Sequence, residues 1–248
     1  MLLASCGTEK RKSKEEKELK GNIEAYHYPF DDLDSLVIYR YNTKQEYEGE
    51  ITKGKLFMLI EKNEDGLLKL SGFDENFKPL MYSKLAFGVD GITELERKHT
   101  LGDTKLARFK FSALPKFQWE QSSKLPAYEN STVKFADQNQ IIKLNQQIEY
   151  SFDGFEDRTF SFIQERRCAK INQQTILRYY DNTSNLIAKT ETKGFVLDLK
   201  GIGPAYGFVK APNFSNEYVL VEILTGQNAK AINGKITNNR NEMVSATQ

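Results

Sequence analysis

Cysteine, histidine, tryptophan and any excess of one charge are all scarce in this chain. Two cysteines in 248 residues exclude a disulfide scaffold, and two histidines exclude a histidine-rich metal site. Lysine and arginine number 35 against 34 aspartate and glutamate, a formal charge of +1. That balance supplies no field able to draw nucleic acid or an acidic bilayer. The longest apolar run is the five residues Leu56 to Ile60, too short for a membrane-spanning helix. Alanine is rare as well: 14 residues, against 68 of Val, Ile, Thr, Tyr, Phe and Trp together. A helical bundle is therefore disfavoured and a β fold favoured.

What the chain does contain is alternation with a period of two. Val37, Tyr39 and Tyr41 share one side of a strand, with Leu36, Ile38 and Arg40 on the other. The same pattern recurs at Ala107–Phe109–Phe111, Ile148–Tyr150–Phe152, Phe160–Phe162, Ile176–Arg178–Tyr180, Phe195–Leu197–Leu199 and Val219–Val221–Ile223. Turn chemistry falls between these runs at Asn63-Glu64-Asp65-Gly66, Asp90-Gly91, Asp153-Gly154 and Asp181-Asn182-Thr183-Ser184-Asn185. Such spacing predicts an all-β domain. It should be a curved antiparallel sheet, half-barrel or sandwich-like, with an aromatic-rich face inward and a polar face in water. The domain is expected over 26–225, with a candidate seam near 124–130 at Lys124-Leu125-Pro126, followed by a polar C-terminal tail over 226–248.

The most specific string lies at the start. Leu3-Ala4-Ser5-Cys6 resembles the lipobox of bacterial lipoproteins: an aliphatic residue, two small residues and the cysteine that receives lipid. The resemblance implies that residues 1–5 are the remnant of a signal peptide and that Cys6 is the lipidation site. It also implies a place in the cell envelope, on the outer membrane, facing the periplasm or the cell surface. Only Met1-Leu2 precede the box, whereas a signal needs a basic segment and about 7–15 apolar residues. From Glu9 to Lys20, ten of twelve residues are charged with both signs mixed, so 6–25 reads as a disordered tether between lipid and domain.

Elsewhere each chemical motif has a structural reading that outweighs it. Gly49 to Leu56 has P-loop spacing, but Leu56 stands where magnesium needs Ser or Thr. Gly201-Ile202-Gly203-Pro204 misses the dinucleotide fingerprint and reads as a glycine-bent strand connection. His27 with Asp31, Asp32 and Asp34 is the weak candidate for a cation or acid–base site, and the aspartates equally suit a turn. Asp153, Glu156 and Asp157 pose the same choice. Cys168 is expected inward and inert. No catalytic residue and no cofactor or metal site is assigned, and the chain reads as a non-enzyme.

The strand pattern from Thr104 to Leu224, with Gly201 and Gly203 in its last turn, resembles the LolA, LolB and LppX half-barrels. The resemblance implies a concave face holding acyl chains of a lipid or lipoprotein. The first functional reading is a lipid-anchored envelope protein binding an apolar or amphipathic ligand in a β-groove, its partners being the membrane through Cys6 and that ligand. The alternative is an anchored scaffold or adaptor for other envelope proteins, and the third reading an envelope hydrolase. The aromatics form a filled core in one case and an open groove in another.

Overall fold

The computed structural model describes Tyr26 and residues 36–245, apart from 63–64, 89–90, 102–104, 111–115, 119–127, 135–140, 165–166 and 182. The strands in chain order are β1 (Leu36–Tyr47), β2 (Glu50–Lys62), β3 (Leu68–Phe73), β4 (Pro79–Gly88), β5 (Gly91–Leu101) and β6 (Lys105–Lys110). They continue with β7 (Lys116–Gln118), β8 (Tyr128–Lys134), β9 (Ile141–Asp157), β10 (Arg167–Tyr180), β11 (Leu186–Leu199), β12 (Gly203–Ala211) and β13 (Phe214–Leu224). One helix, α1 (Gly226–Ser245), follows.

All thirteen strands belong to one antiparallel sheet of order β4-β3-β2-β1-β13-β12-β11-β10-β9-β8-β6-β5-β7. The expected curved sheet is present as a half-barrel, and the strands on both sides of the candidate seam share it. A further pairing of β4 with β5 ties the two ends of the order together. Most chain neighbours pair directly, except that β6 pairs with β8 and β7 with β5, and β13 returns to β1 over ten partners from Ile38↔Leu224 to Tyr47↔Phe214. Such a course leaves few open strand edges, the feature that otherwise invites aggregation.

Three features depart from the sequence expectations. Asp153-Gly154 is not a turn: β9 runs through it with a register shift against β10, where Phe155 faces Ala169 and Phe152 faces Ile171. Gly154, at φ 88°, accommodates the extra residue of this bulge. Phe160 and Phe162 lie outside any long strand, in a tight turn closed by a Phe160–Ile163 bridge, with their rings 5.9 Å apart. Both still reach the core. Finally, the polar tail is a helix. Ala229, Ile232 and Ile236 fall on one stripe and cover Ile38, Phe57, Leu59 and Phe73 of β1–β3. A helix on one sheet face and the 158–163 segment on another stretch mean that both faces carry apolar side chains. Aromatic residues therefore do not segregate to one side.

Candidate functional site

Cross-strand partners point to the same side of a sheet, so the registers trace a face from strand to strand. Starting at Tyr39, the partners are Met58 on β2, then Gly72 on β3, then Met81 on β4. Two residues along β4, Ser83 faces Arg97 of β5. In the other direction Tyr41 faces Leu220 of β13; from Tyr218 the same side passes to Gly207, Val196, Ile171 and Phe152. On β10 and β9 it includes Gln173 and Tyr150. Asp198, two residues on from Val196, lies on the same face opposite Pro204, where β12 is bulged.

This is the concave face. Tyr150 and Tyr218 lie four strands apart, about 19 Å on a flat sheet, yet Tyr150 is near enough to act electrostatically on Tyr218. Arg97 and Glu94 of β5 and Asp198 of β11 likewise act on Tyr150. Only curvature brings side chains from β5, β9, β11 and β13 within such range.

The interior has a floor, a polar middle and an apolar rim. The floor is the β11–β12 connection, where Gly201 and Gly203 adopt φ of 69° and 92°. Across β13, the Tyr39 hydroxyl donates to the Ile202 carbonyl at 2.9 Å and the Tyr41 hydroxyl to the Pro204 carbonyl at 2.9 Å. The glycine-bent connection read from the sequence is thus present and pinned.

In the middle, the Ser83 hydroxyl donates to Glu94 Oε1 at 2.9 Å, and Arg97 Nε donates to the same oxygen at 2.9 Å. Arg97 and Glu94 also form an ion pair through Nη2 and Oε2, with both side chains largely buried. Asp198 is 4% exposed, and burial pushes its carboxyl up to about 8. Burial pushes the Tyr150 phenol up to about 12, and raises that of Tyr218 with a smaller push from Asp198. The Tyr218 ring lies against Gly207, where a Cβ would sit 2.2 Å from its Cζ. Both tyrosines are deep in the molecule, yet each keeps an intermediate share of its surface accessible.

The rim lies at the opposite end from the floor. Up-and-down order puts alternate hairpin tips together, and the exposed large apolar residues Tyr47, Ile51, Leu80, Leu186 and Ile187 all lie at tips of that end. On the outer face beside it, a cleft of about 460 Å³ sits between the β1–β2 and β12–β13 tips, lined by Lys44, Glu46, Lys210, Phe214 and Glu217 among others. The Glu48 backbone N–H donates a hydrogen bond to the Asn213 carbonyl at 3.1 Å and joins the two tips.

The residues singled out from sequence fall elsewhere. Cys6, His27, Asp31, Asp32 and Asp34 lie outside the described residues. Asp153 and Glu156 flank Lys170 at 3.6 and 3.4 Å, a solvent-exposed ion-pair arrangement. Cys168 is fully buried. The P-loop-like string forms a hairpin turn and strand β2. Among the described residues no group of three or more His, Cys, Asp or Glu side chains gathers as metal ligands would.

No protein-family model and no curated protein matches the chain. Two solved structures are similar to it. One is a candidate exported protein with YmcC-like fold from Bacteroides fragilis: 10% identity, TM-score 0.43, covering 80% of this chain and 99% of that one. The other is a DUF1329 family protein from Desulfovibrio piger: 9% identity, TM-score 0.38, covering 86% of this chain and 93% of that one.

Proposed function

We propose that the protein is a cell-envelope binding protein, lipid-anchored through Cys6 to the outer membrane, that holds an apolar or amphipathic ligand inside its curved sheet. It acts by binding and not by catalysis. The observation that supports this reading is the concave face itself, on which Tyr150 and Tyr218 lie between a pinned floor and an apolar rim. A ligand entering past Tyr47 and Leu186 would exchange water for apolar and aromatic walls, at about 25 cal/mol per Å² buried. The neutral dye N-phenyl-1-naphthylamine tests it. Its fluorescence should rise saturably with the full chain and be weakened by Tyr150→Ala or Tyr218→Ala, which remove aromatic walls of the concave face. No saturable rise with the folded chain would refute the groove.

An anchored adaptor for other envelope proteins is the second reading, favoured by the exposed rim residues. Replacing Tyr47, Ile51, Leu186 and Ile187 by serine would abolish partner capture under the adaptor reading. Under the groove reading those changes leave a saturable dye site.

A further inference from the structure

Two strands of the sheet run past a neighbour. β11 pairs with β10 as far as Leu186 but with β12 only as far as Lys193. β2 pairs with β1 as far as Tyr47↔Glu50 but with β3 only from Phe57↔Phe73. Among the described residues each leaves one side of a strand backbone unpaired, an edge able to accept a further strand. The β11 edge is interrupted by a register shift at Tyr179/Tyr180. The β2 edge, residues 50–55, runs in unbroken register with β1 and spans about 20 Å. It is also permanent. β3 ends in a tight turn whose Asp74 carboxylate accepts from the Asn76 and Lys78 amides at 2.9 and 2.8 Å. Phe77 of that turn packs 5.1 Å from Phe57, so β3 cannot extend over the edge.

On the outer face this edge presents Ile51, Lys53 and Lys55, all exposed. Lys53 stands directly opposite Lys44, a like-charge pair that is destabilising until an anion joins it. Among the described residues neither Lys53 nor Lys55 has an ion-pair partner: Glu46 faces Ile51, Glu217 faces Lys44, and Asp74 is held in its own turn. Pairing the edge with itself about a two-fold axis would set a lysine opposite another lysine or opposite Ile51. A second copy of this chain is therefore the wrong occupant. We infer that the β2 edge takes an extended segment of a partner protein as an added antiparallel strand, with acids opposite Lys55 and Lys53 and an apolar residue opposite Ile51. From its N-terminus that segment reads acidic, any, acidic, any, apolar. Backbone bonds supply the ladder, and the alternate side chains supply the choice. The inference gives the adaptor reading a chemistry and does not depend on the groove.

The test is fluorescence anisotropy of a labelled peptide, Glu-Thr-Glu-Thr-Ile-Thr, titrated with the full chain at low salt. It should bind saturably, and at least about tenfold more tightly than the permuted peptide Thr-Thr-Glu-Glu-Thr-Ile, whose acids fall on opposite faces of a strand. The double variant Lys53→Glu/Lys55→Glu should lose the first peptide by a similar factor and gain the charge-swapped Lys-Thr-Lys-Thr-Ile-Thr, which also shows that the variant is folded. Methylating alternate backbone nitrogens of the peptide should abolish binding in one of the two sets and spare it in the other, because alternate N–H groups point into the ladder. No saturable binding, equal binding of the permuted peptide, or tolerance of both methylated sets would overturn the inference. A chain that binds the peptide and not N-phenyl-1-naphthylamine keeps this inference and loses the groove.

Discussion

Asp198 shows how a residue's role escapes its local sequence. It sits between Leu197 and Leu199, where alternation reads it as the solvent-facing position of a half-buried strand. Both faces of β11 are covered in the fold, so the polar position is as buried as the apolar ones. Its carboxyl is raised from 3.8 to about 8 by that burial. Across this window the unfolded chain releases a proton that the folded chain keeps. The group's contribution to stability is then fullest below 3.8 and is lost as pH rises toward about 8, by at most about 1.4 kcal/mol per unit. Asp198→Asn imitates the protonated acid and removes this slope. In urea titrations the variant should gain on the parent as pH rises through that range and be the more stable of the two at alkaline pH. A parallel pH dependence for the two proteins would show that Asp198 is ionised throughout. Gly207 is the other telling position. A Cβ there collides with the Tyr218 ring, so Gly207→Ala should cost about 1–3 kcal/mol. Most of that cost should vanish in the Tyr218→Ala background, because the atoms in the way belong to that side chain. Denaturation of the four proteins of this cycle gives the coupling directly.

At the scale of elements, alternation exposed most strands, because a period of two is a property of neighbours in sequence. The hairpin turn at Asp181 was equally legible. Its carboxylate accepts from the Thr183 and Asn185 amides at 2.9 and 2.8 Å, a pattern built into the local Asp-Asn-Thr-Ser-Asn string. Gly154 was misread because a glycine beside an aspartate marks a turn and a bulge alike; the partner strand decides, and β10 is distant in sequence. Helix α1 was missed for a different reason. Its composition is polar, and its apolar stripe amounts to Ala229, Ile232 and Ile236. That stripe suffices because β1–β3 supply the other half of the contact. Ile236 is fully buried, so Ile236→Ala should cost about 2–4 kcal/mol by the cavity it leaves. A loss below about 0.5 kcal/mol in a denaturant titration would mean that the helix does not pack on the sheet as described.

The whole molecule has a direction. The chain enters β1 at the floor end, where the Gly201–Pro204 connection closes the interior, and the apolar rim lies at the other end. None of this layout was legible in the sequence. Ser83, Glu94, Arg97, Tyr150, Asp198 and Tyr218 share no motif and meet only because the sheet curves. What the sequence did offer was the lipobox-like Leu3-Ala4-Ser5-Cys6, a local signal read by enzymes that act on extended chain. Two or three acyl chains on Cys6, at about 0.8 kcal/mol per buried methylene, would hold the protein on a membrane essentially permanently. Expressed behind a functional export signal, Cys6→Ala should move the protein from the membrane to the soluble fraction with its fold unchanged. Retention of the variant after a high-salt wash would refute the anchor. The central claim is that the interior of the curved sheet is an occupied binding site and not a filled core. Native mass spectrometry of the full chain, gently released from its own envelope, tests it most directly. The account predicts a complex with one small amphiphile, which organic extraction removes. A bare chain, released gently and still folded, would contradict it.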